Sequence, residues 1–181
     1  MRLFIGIMTP DPVDDALDDA LGATLRGRAR DAGLDRWTPR EERHLTLRFI
    51  GETDGEAAVT RAAARAAASF AAMRMLLGAQ AAPLTARVVA VPVAGAEHVA
   101  AAVDAALEDE GFAVRDRPFT GHVTVARASH HLRVAAVEQA LHHPPLAVPW
   151  QAEGIEVIAS TSAGPHRYVV RSTHRLLGAA A

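Results

Sequence analysis

Two four-residue segments of this chain repeat one pattern: His44-Leu45-Thr46-Leu47 and His122-Val123-Thr124-Val125. Strand side chains alternate faces, so each segment presents an imidazole and a hydroxyl together while its aliphatic pair points into a core. Imidazoles titrate near working pH, so one ring can take a proton from a nucleophile while a second protonates a leaving oxygen. The neighbouring hydroxyls can donate hydrogen bonds to nonbridging phosphoryl oxygens, where charge builds up. A duplicated unit across a pseudo-twofold axis would set one imidazole on each side of a phosphorus atom undergoing in-line displacement, with no metal required. The plain alternative is two half-buried strands with unrelated polar faces.

Composition narrows the chemistry. The chain has no cysteine, which excludes disulfides, thiolate zinc sites and thiol nucleophiles. All 19 basic residues are arginine, so a covalent nucleotidyl–lysine intermediate is closed to it. Phosphate recognition falls to Arg, hydroxyls, His and backbone N–H groups. His130-His131 and His142-His143 read as solvated loop residues, because adjacent side chains diverge and no carboxylate cluster joins them. His166 and His174 read as surface residues. No metal and no cofactor is expected. A net charge of −2 and a pI near 6.5 favour recognition of one nucleic-acid end or one nucleotide over a grip on a long duplex.

The elements that must position these residues read as irregularly alternating strands and helices. Residues 2–8 form an apolar first strand. Asp11 or Asp14 caps a helix running to about 32, where Gly33 stops it; Val13, Leu17, Leu21 and Leu25 fall four apart on its buried face. Its aspartates read as a solvated first turn. Trp37-Thr38-Pro39 leads into a strand at 44–50, on which Arg48 shares a face with His44 and Thr46. Asp54 or Glu56 opens an alanine-rich helix ending near 77–78. A strand at about 84–93 follows, then a helix at 97–110 ended by Gly111, a strand at 121–126 and a short helix at 132–141. Residues 142–145 are a loop. Two last strands, at about 154–160 and 167–172, flank a turn at 162–165. The pattern favours α+β with antiparallel pairing. No Gly-rich phosphate loop is present. At 181 residues the chain is expected to be one domain, residues 1–181, and monomeric. No apolar run reaches the roughly 18 residues of a membrane span, and the first residues do not read as a signal peptide. A cytoplasmic protein with no membrane partner is expected.

At the repeated motif the sequence resembles the two-histidine phosphoesterase superfamily, and within it the bacterial RNA 2′,3′-cyclic phosphodiesterases, also called 2′-5′ RNA ligases. The likeness spans nearly the whole chain. It takes in Arg2-Leu3-Phe4-Ile5-Gly6-Ile7, the stretch from Trp37 through Glu52, Arg87-Val88-Val89, and the stretch from Arg117 through Arg127. It closes on Ser162-Ala163-Gly164-Pro165 before Tyr168. The resemblance implies a bilobal α+β fold with two antiparallel sheets facing a central cleft. It also implies hydrolysis of 2′,3′-cyclic phosphates, on RNA ends or nucleotides, to 2′-phosphomonoesters. His44 is then the general acid and His122 the general base, with Thr46, Thr124 and Arg127 on the phosphate. One departure is Gly121, where the family often has proline before the second histidine. Without lysine, ligation reduces to the cyclic-phosphate chemistry with an RNA 5′-hydroxyl in place of water. Phe119 is the preferred residue to stack on a base, with Trp37 and Tyr168 as further candidates. Rival readings are a non-catalytic RNA-end-binding module and a phosphodiesterase acting on 2′-5′ linkages or small cyclic nucleotides.

Overall fold

A computed structural model describes residues 1–161 and 167–177; the turn expected at 162–165 and His166 lie outside the described residues. The strands are β1 (Arg2–Met8), β2 (Arg36–Trp37), β3 (His44–Glu52), β4 (Met73–Ala79), β5 (Ala82–Thr85), β6 (Val88–Ala94), β7 (His122–Arg127), β8 (Leu146–Ala152), β9 (Gly154–Ser160) and β10 (Tyr168–Arg175). The helices are α1 (Asp11–Ala20), α2 (Ala23–Asp31), α3 (Glu56–Ala67), α4 (Glu97–Asp109) and α5 (Val134–Ala140). Eight strands run in the order β10-β9-β1-β3-β7-β6-β4-β8, with β2 on β7 and β5 on β6. Every pairing is antiparallel.

The joint between the two halves positions the site. β3 and β7, the strands carrying the repeated motif, pair through one register position among the described residues, Leu45 with Val123. Leu45, Leu47, Val123 and Val125 are all buried, at 2% exposure or less. Each such side chain contributes about 1.5–3 kcal/mol when taken from water, and together they anchor both motifs from behind. The core lies between sheet and helices, where α3 and α4 sit side by side, tied by Arg65 donating to the Ala106 carbonyl at 2.7 Å and by the Arg61–Glu110 ion pair at 2.6 Å.

Both motif strands carry a bulge at the same place. On β3, Thr46 pairs with Gly6 but Arg48 pairs with Ile5, so Leu47 is an extra residue. On β7, Thr124 pairs with Ala90 but Ala126 pairs with Val89, so Val125 is extra. A bulge re-aims the side chains that follow it. The Leu47 carbonyl accepts from Arg115 at 2.6 Å, and the Val125 carbonyl accepts from the Thr38 N–H at 2.9 Å. The alternation expected for β3 therefore fails after Thr46. Arg48 turns away from the His44 face, pairing with Asp104 at 3.4 Å and donating to the Ala113 carbonyl at 2.7 Å. Phe49 turns toward that face in its place.

Other expectations are corrected. The first helix breaks at Leu21-Gly22 into α1 and α2, although Val13, Leu17, Leu21 and Leu25 stay buried in one row. No aspartate caps α1; Pro10 precedes it. Asp14 is not solvated but buried and bound by Arg43 at 3.2 Å, and the partly exposed Asp18 is bound by Arg43 and Arg40 at 2.6 Å each and by Arg26 at 2.8 Å. The alanine-rich helix ends at Ala67, and residues expected at its end form β4, with Met75 and Leu77 buried and Arg74 and Leu76 exposed. A seven-residue ladder with β8, itself unforeseen, outweighs alanine's helix propensity there. The strand expected near 84–93 is the β5–β6 hairpin. His143 is buried, accepting the Ala81 N–H on Nε2 at 3.2 Å, with Nδ1 2.6 Å from the Pro144 carbonyl.

Candidate active site

Antiparallel pairing of Leu45 with Val123 dictates what stands beside what. It sets His44 across from Thr124 and Thr46 across from His122. In a regular ladder, side chains directly across lie about 4.5–5.5 Å apart at Cβ and diagonal ones about 7–8 Å. The two imidazoles occupy the diagonal, with a hydroxyl beside each. Both rings are held by one local device. His44 Nδ1 lies 2.7 Å from the Glu42 carbonyl oxygen, and His122 Nδ1 lies 2.8 Å from the Thr120 carbonyl oxygen. A carbonyl can only accept, so Nδ1 carries the hydrogen in each ring and Nε2 is left for chemistry. Neither threonine hydroxyl is bonded to another described residue, which leaves both free to donate.

An aromatic wall backs His44. Its ring centroid lies 4.7 Å from that of Phe4 and 4.9 Å from that of Tyr168, the latter edge-on at 81°. Burial pushes the His44 pKa from 6.5 down to about 4, and the positive charges of Arg127, His122 and Arg167 push the same way, against the Glu42 hydrogen bond. The ring is therefore neutral at pH 7. An anion among those arginines would reverse their effect and favour the imidazolium.

Two cavities flank His44 along β3. One, of about 430 Å³, is lined by Trp37, Thr38, Glu42 and Thr124 as well as His44. The other, of about 220 Å³, is lined by Thr46, Phe49, Arg2 and Ser160 as well as His44. Arg127, Arg167 and Tyr168 line both. Arg127 reaches the cleft because of the Val125 bulge, and it forms no ion pair with a described residue. By contrast Arg26, Arg40, Arg43, Arg48, Arg61, Arg65, Arg115 and Arg171 are paired to carboxylates. Arg127 and Arg167 thus bring positive charge without a described carboxylate partner to the cleft at His44.

The structure thus brings His44, Thr46, Thr124, Arg127, Trp37 and Tyr168 around one cleft, with His122 across the joint from Thr46. Phe119 lines neither cavity. Its ring packs partly buried against the core with the Arg115 guanidinium 5.5 Å above it, and it supports the approach to His122. Sequence reasoning missed Arg167, Arg2, Phe4 and Phe49 at the cleft, and Arg43 behind it. Arg43 could have been found as the charged residue directly preceding a motif histidine. Phe49 could not, because strict alternation puts it on the wrong face.

Among the described residues no helix is long and apolar enough to cross a membrane. No curated protein matches the chain by sequence. Solved structures do resemble it. TT0787 of Thermus thermophilus is 25% identical with a TM-score of 0.76, over 98% of this chain and 99% of that one. E. coli LigT complexed with NADP+ is 25% identical with a TM-score of 0.68, over 97% of this chain and 96% of that one. E. coli LigT complexed with 3′-AMP is 24% identical with a TM-score of 0.71, over 97% and 98%. The family model of the 2′-5′ RNA ligase superfamily matches residues 12–163. With a family match over most of its length and the same fold in those structures, this chain belongs to the 2′-5′ RNA ligase superfamily.

Proposed function

We propose that the protein is an RNA 2′,3′-cyclic phosphodiesterase that opens the cyclic phosphate to a 2′-phosphomonoester by two-histidine acid–base catalysis. The observation that carries this reading is the Leu45–Val123 pairing, which puts the two motif strands side by side, with His44, Thr124 and Arg127 lining one cavity. His122 Nε2 takes a proton from water as the water oxygen bonds to phosphorus. The bond from phosphorus to the 3′ oxygen breaks, and that oxygen takes a proton from His44 Nε2. Thr46, Thr124 and Arg127 hold the nonbridging oxygens as charge builds on them. His44 reaches its acid form when the phosphodiester anion enters beside Arg127, so substrate binding takes up a proton. An RNA 5′-hydroxyl in place of water would yield a 2′-5′ linkage by the same proton transfers.

The test is turnover of a 2′,3′-cyclic mononucleotide, and of an RNA ending in that group, by EDTA-treated protein, with the product isomer assigned. The reading expects a 2′-phosphate, full activity after chelation and a bell-shaped pH profile. A 3′-phosphate product, or activity lost to EDTA and restored by metal, would overturn it.

A further inference from the structure

The two motifs share their pattern through the bulged residue and diverge after it. Counting from each histidine, the threonine comes two residues later and the bulged residue three later. The side chain that the bulge turns into the cleft comes five later: Arg127 on β7 and Phe49 on β3. The site is duplicated in its acid–base and hydroxyl groups but carries a guanidinium on one side and an aromatic ring on the other.

That ring is presented to solvent. Phe49 is 54% exposed, among the most exposed large apolar side chains described. The Arg2 guanidinium lies 5.5 Å from its ring centroid. Arg2 and Arg167, which both line the smaller cavity with Phe49, have no ion pair with a described carboxylate. One cyclic phosphate at Thr46, Thr124 and Arg127 uses one guanidinium and leaves these two uncompensated. A solvent-exposed aromatic ring in a cavity with two guanidiniums is what a further nucleotide requires: a base to stack and a phosphodiester to neutralise. The nucleophile enters on the His122 side, whereas both cavities lie along β3 at His44, the side of the departing sugar oxygen. Both therefore belong to the strand that carries the cyclic phosphate.

Building on the activity proposed above, we infer that the smaller cavity is a subsite for the penultimate nucleotide of an RNA end. The terminal nucleoside occupies the larger, Trp37-lined cavity. The base before it stacks on Phe49, and the phosphodiester joining the two lies between Arg2 and Arg167. The preferred substrate is then an oligonucleotide of at least two residues.

The experiment compares kcat/KM for a cyclic mononucleotide with that for a dinucleotide ending in the same 2′,3′-cyclic phosphate. The wild type is expected to prefer the dinucleotide by about tenfold or more. In Phe49→Ala that preference falls by about fivefold or more, the effect of losing one base–aromatic stack, and Phe49→Trp restores it. Arg2→Ala lowers the preference and its dependence on salt. Equal kcat/KM for the two substrates in the wild type would overturn the subsite. So would a preference unchanged in Phe49→Ala, or a parallel loss on both substrates, which would put the terminal base on Phe49. If the wild type turned over neither substrate, the proposed activity would fall by itself. The subsite would then be judged by binding of a 2′-phosphorylated dinucleotide against a 2′-phosphorylated mononucleotide, with Phe49→Ala weakening only the first. Equal binding of the two would overturn it.

Discussion

Replacing Arg43 by methionine should cost about 3–5 kcal/mol of folding stability, although the residue touches no cavity at His44. Arg43 and Asp14 are 4% and 5% exposed in their side chains. The guanidinium donates to the Asp14 carboxylate at 3.2 Å, to the Asp18 carboxylate at 2.6 Å and to the Thr38 carbonyl at 3.2 Å. Its own carbonyl accepts from the Thr9 N–H at 3.2 Å. Asp18 keeps Arg26 and Arg40 when Arg43 is lost, so the damage concentrates at Asp14, left with the Thr9 hydroxyl at 3.0 Å. Burial already pushes the Asp14 carboxyl above its ordinary value with Arg43 in place. Breaking a buried pair from one side costs about 3–5 kcal/mol, whereas replacing both members with apolar groups is often neutral. For a domain of this size that corresponds to a fall in Tm of roughly 6–20 °C. Urea and thermal unfolding followed by circular dichroism measure it, with Asp14→Leu combined with Arg43→Met as the compensated variant. Because Arg43 joins Glu42, whose carbonyl holds His44 Nδ1, kcat should fall in the single variant at temperatures where it is still folded. A loss below about 1 kcal/mol, or a double variant no more stable than the single one, would refute this account of how His44 is held.

Three further predictions concern titration and close approach. The His44 ring resonances should titrate near pH 4 in the free protein, as burial and the nearby arginines dictate, and move upward when a nucleoside 2′-phosphate is bound. A titration unmoved by the ligand would reverse the acid and base assignments. Burial raises the Glu156 pKa from 4.5 to about 7 against one hydrogen bond from the Met8 N–H. The stability this proton supplies is present below pH 4.5 and lost as pH rises through 7. Glu156→Gln should therefore equal the wild type in urea melts near pH 4.5 and exceed it at about pH 8. Finally, a Cβ at Gly121 would collide with the Val93 carbonyl oxygen. Gly121→Ala should displace His122 and lower kcat at least tenfold with little loss of secondary structure, measured by steady-state kinetics and circular dichroism.

How much of this was legible follows from how local each signal is. The His-x-Thr repeat and its buried aliphatic partners were readable because alternation operates between adjacent residues. Helix α4, from Glu97 to Asp109, was readable because Val99, Val103 and Leu107 repeat along one face and Gly111 closes it. β4 was not, since its alanine-rich approach favours helix and its stabilising partner, β8, lies some seventy residues away in the chain. The bulges at Leu47 and Val125 were invisible for a related reason. Their carbonyls are satisfied by Arg115 and Thr38, which only the folded chain brings near. Those two insertions decide which face Arg48, Phe49 and Arg127 occupy. The sequence therefore exposed the paired histidines and hydroxyls and concealed much of what lines the cleft around them.

The central claim is that His44 and His122 act as one acid–base pair on a cyclic phosphate. The direct measurement is kcat on an RNA ending in a 2′,3′-cyclic phosphate for the wild type, His44→Ala, His122→Ala and the double variant, with folding checked by circular dichroism. Each single variant should lose about 10²–10⁴-fold, and the double variant should be little worse than either, as expected of groups that work together. Either folded single variant within tenfold of the wild type would contradict the account.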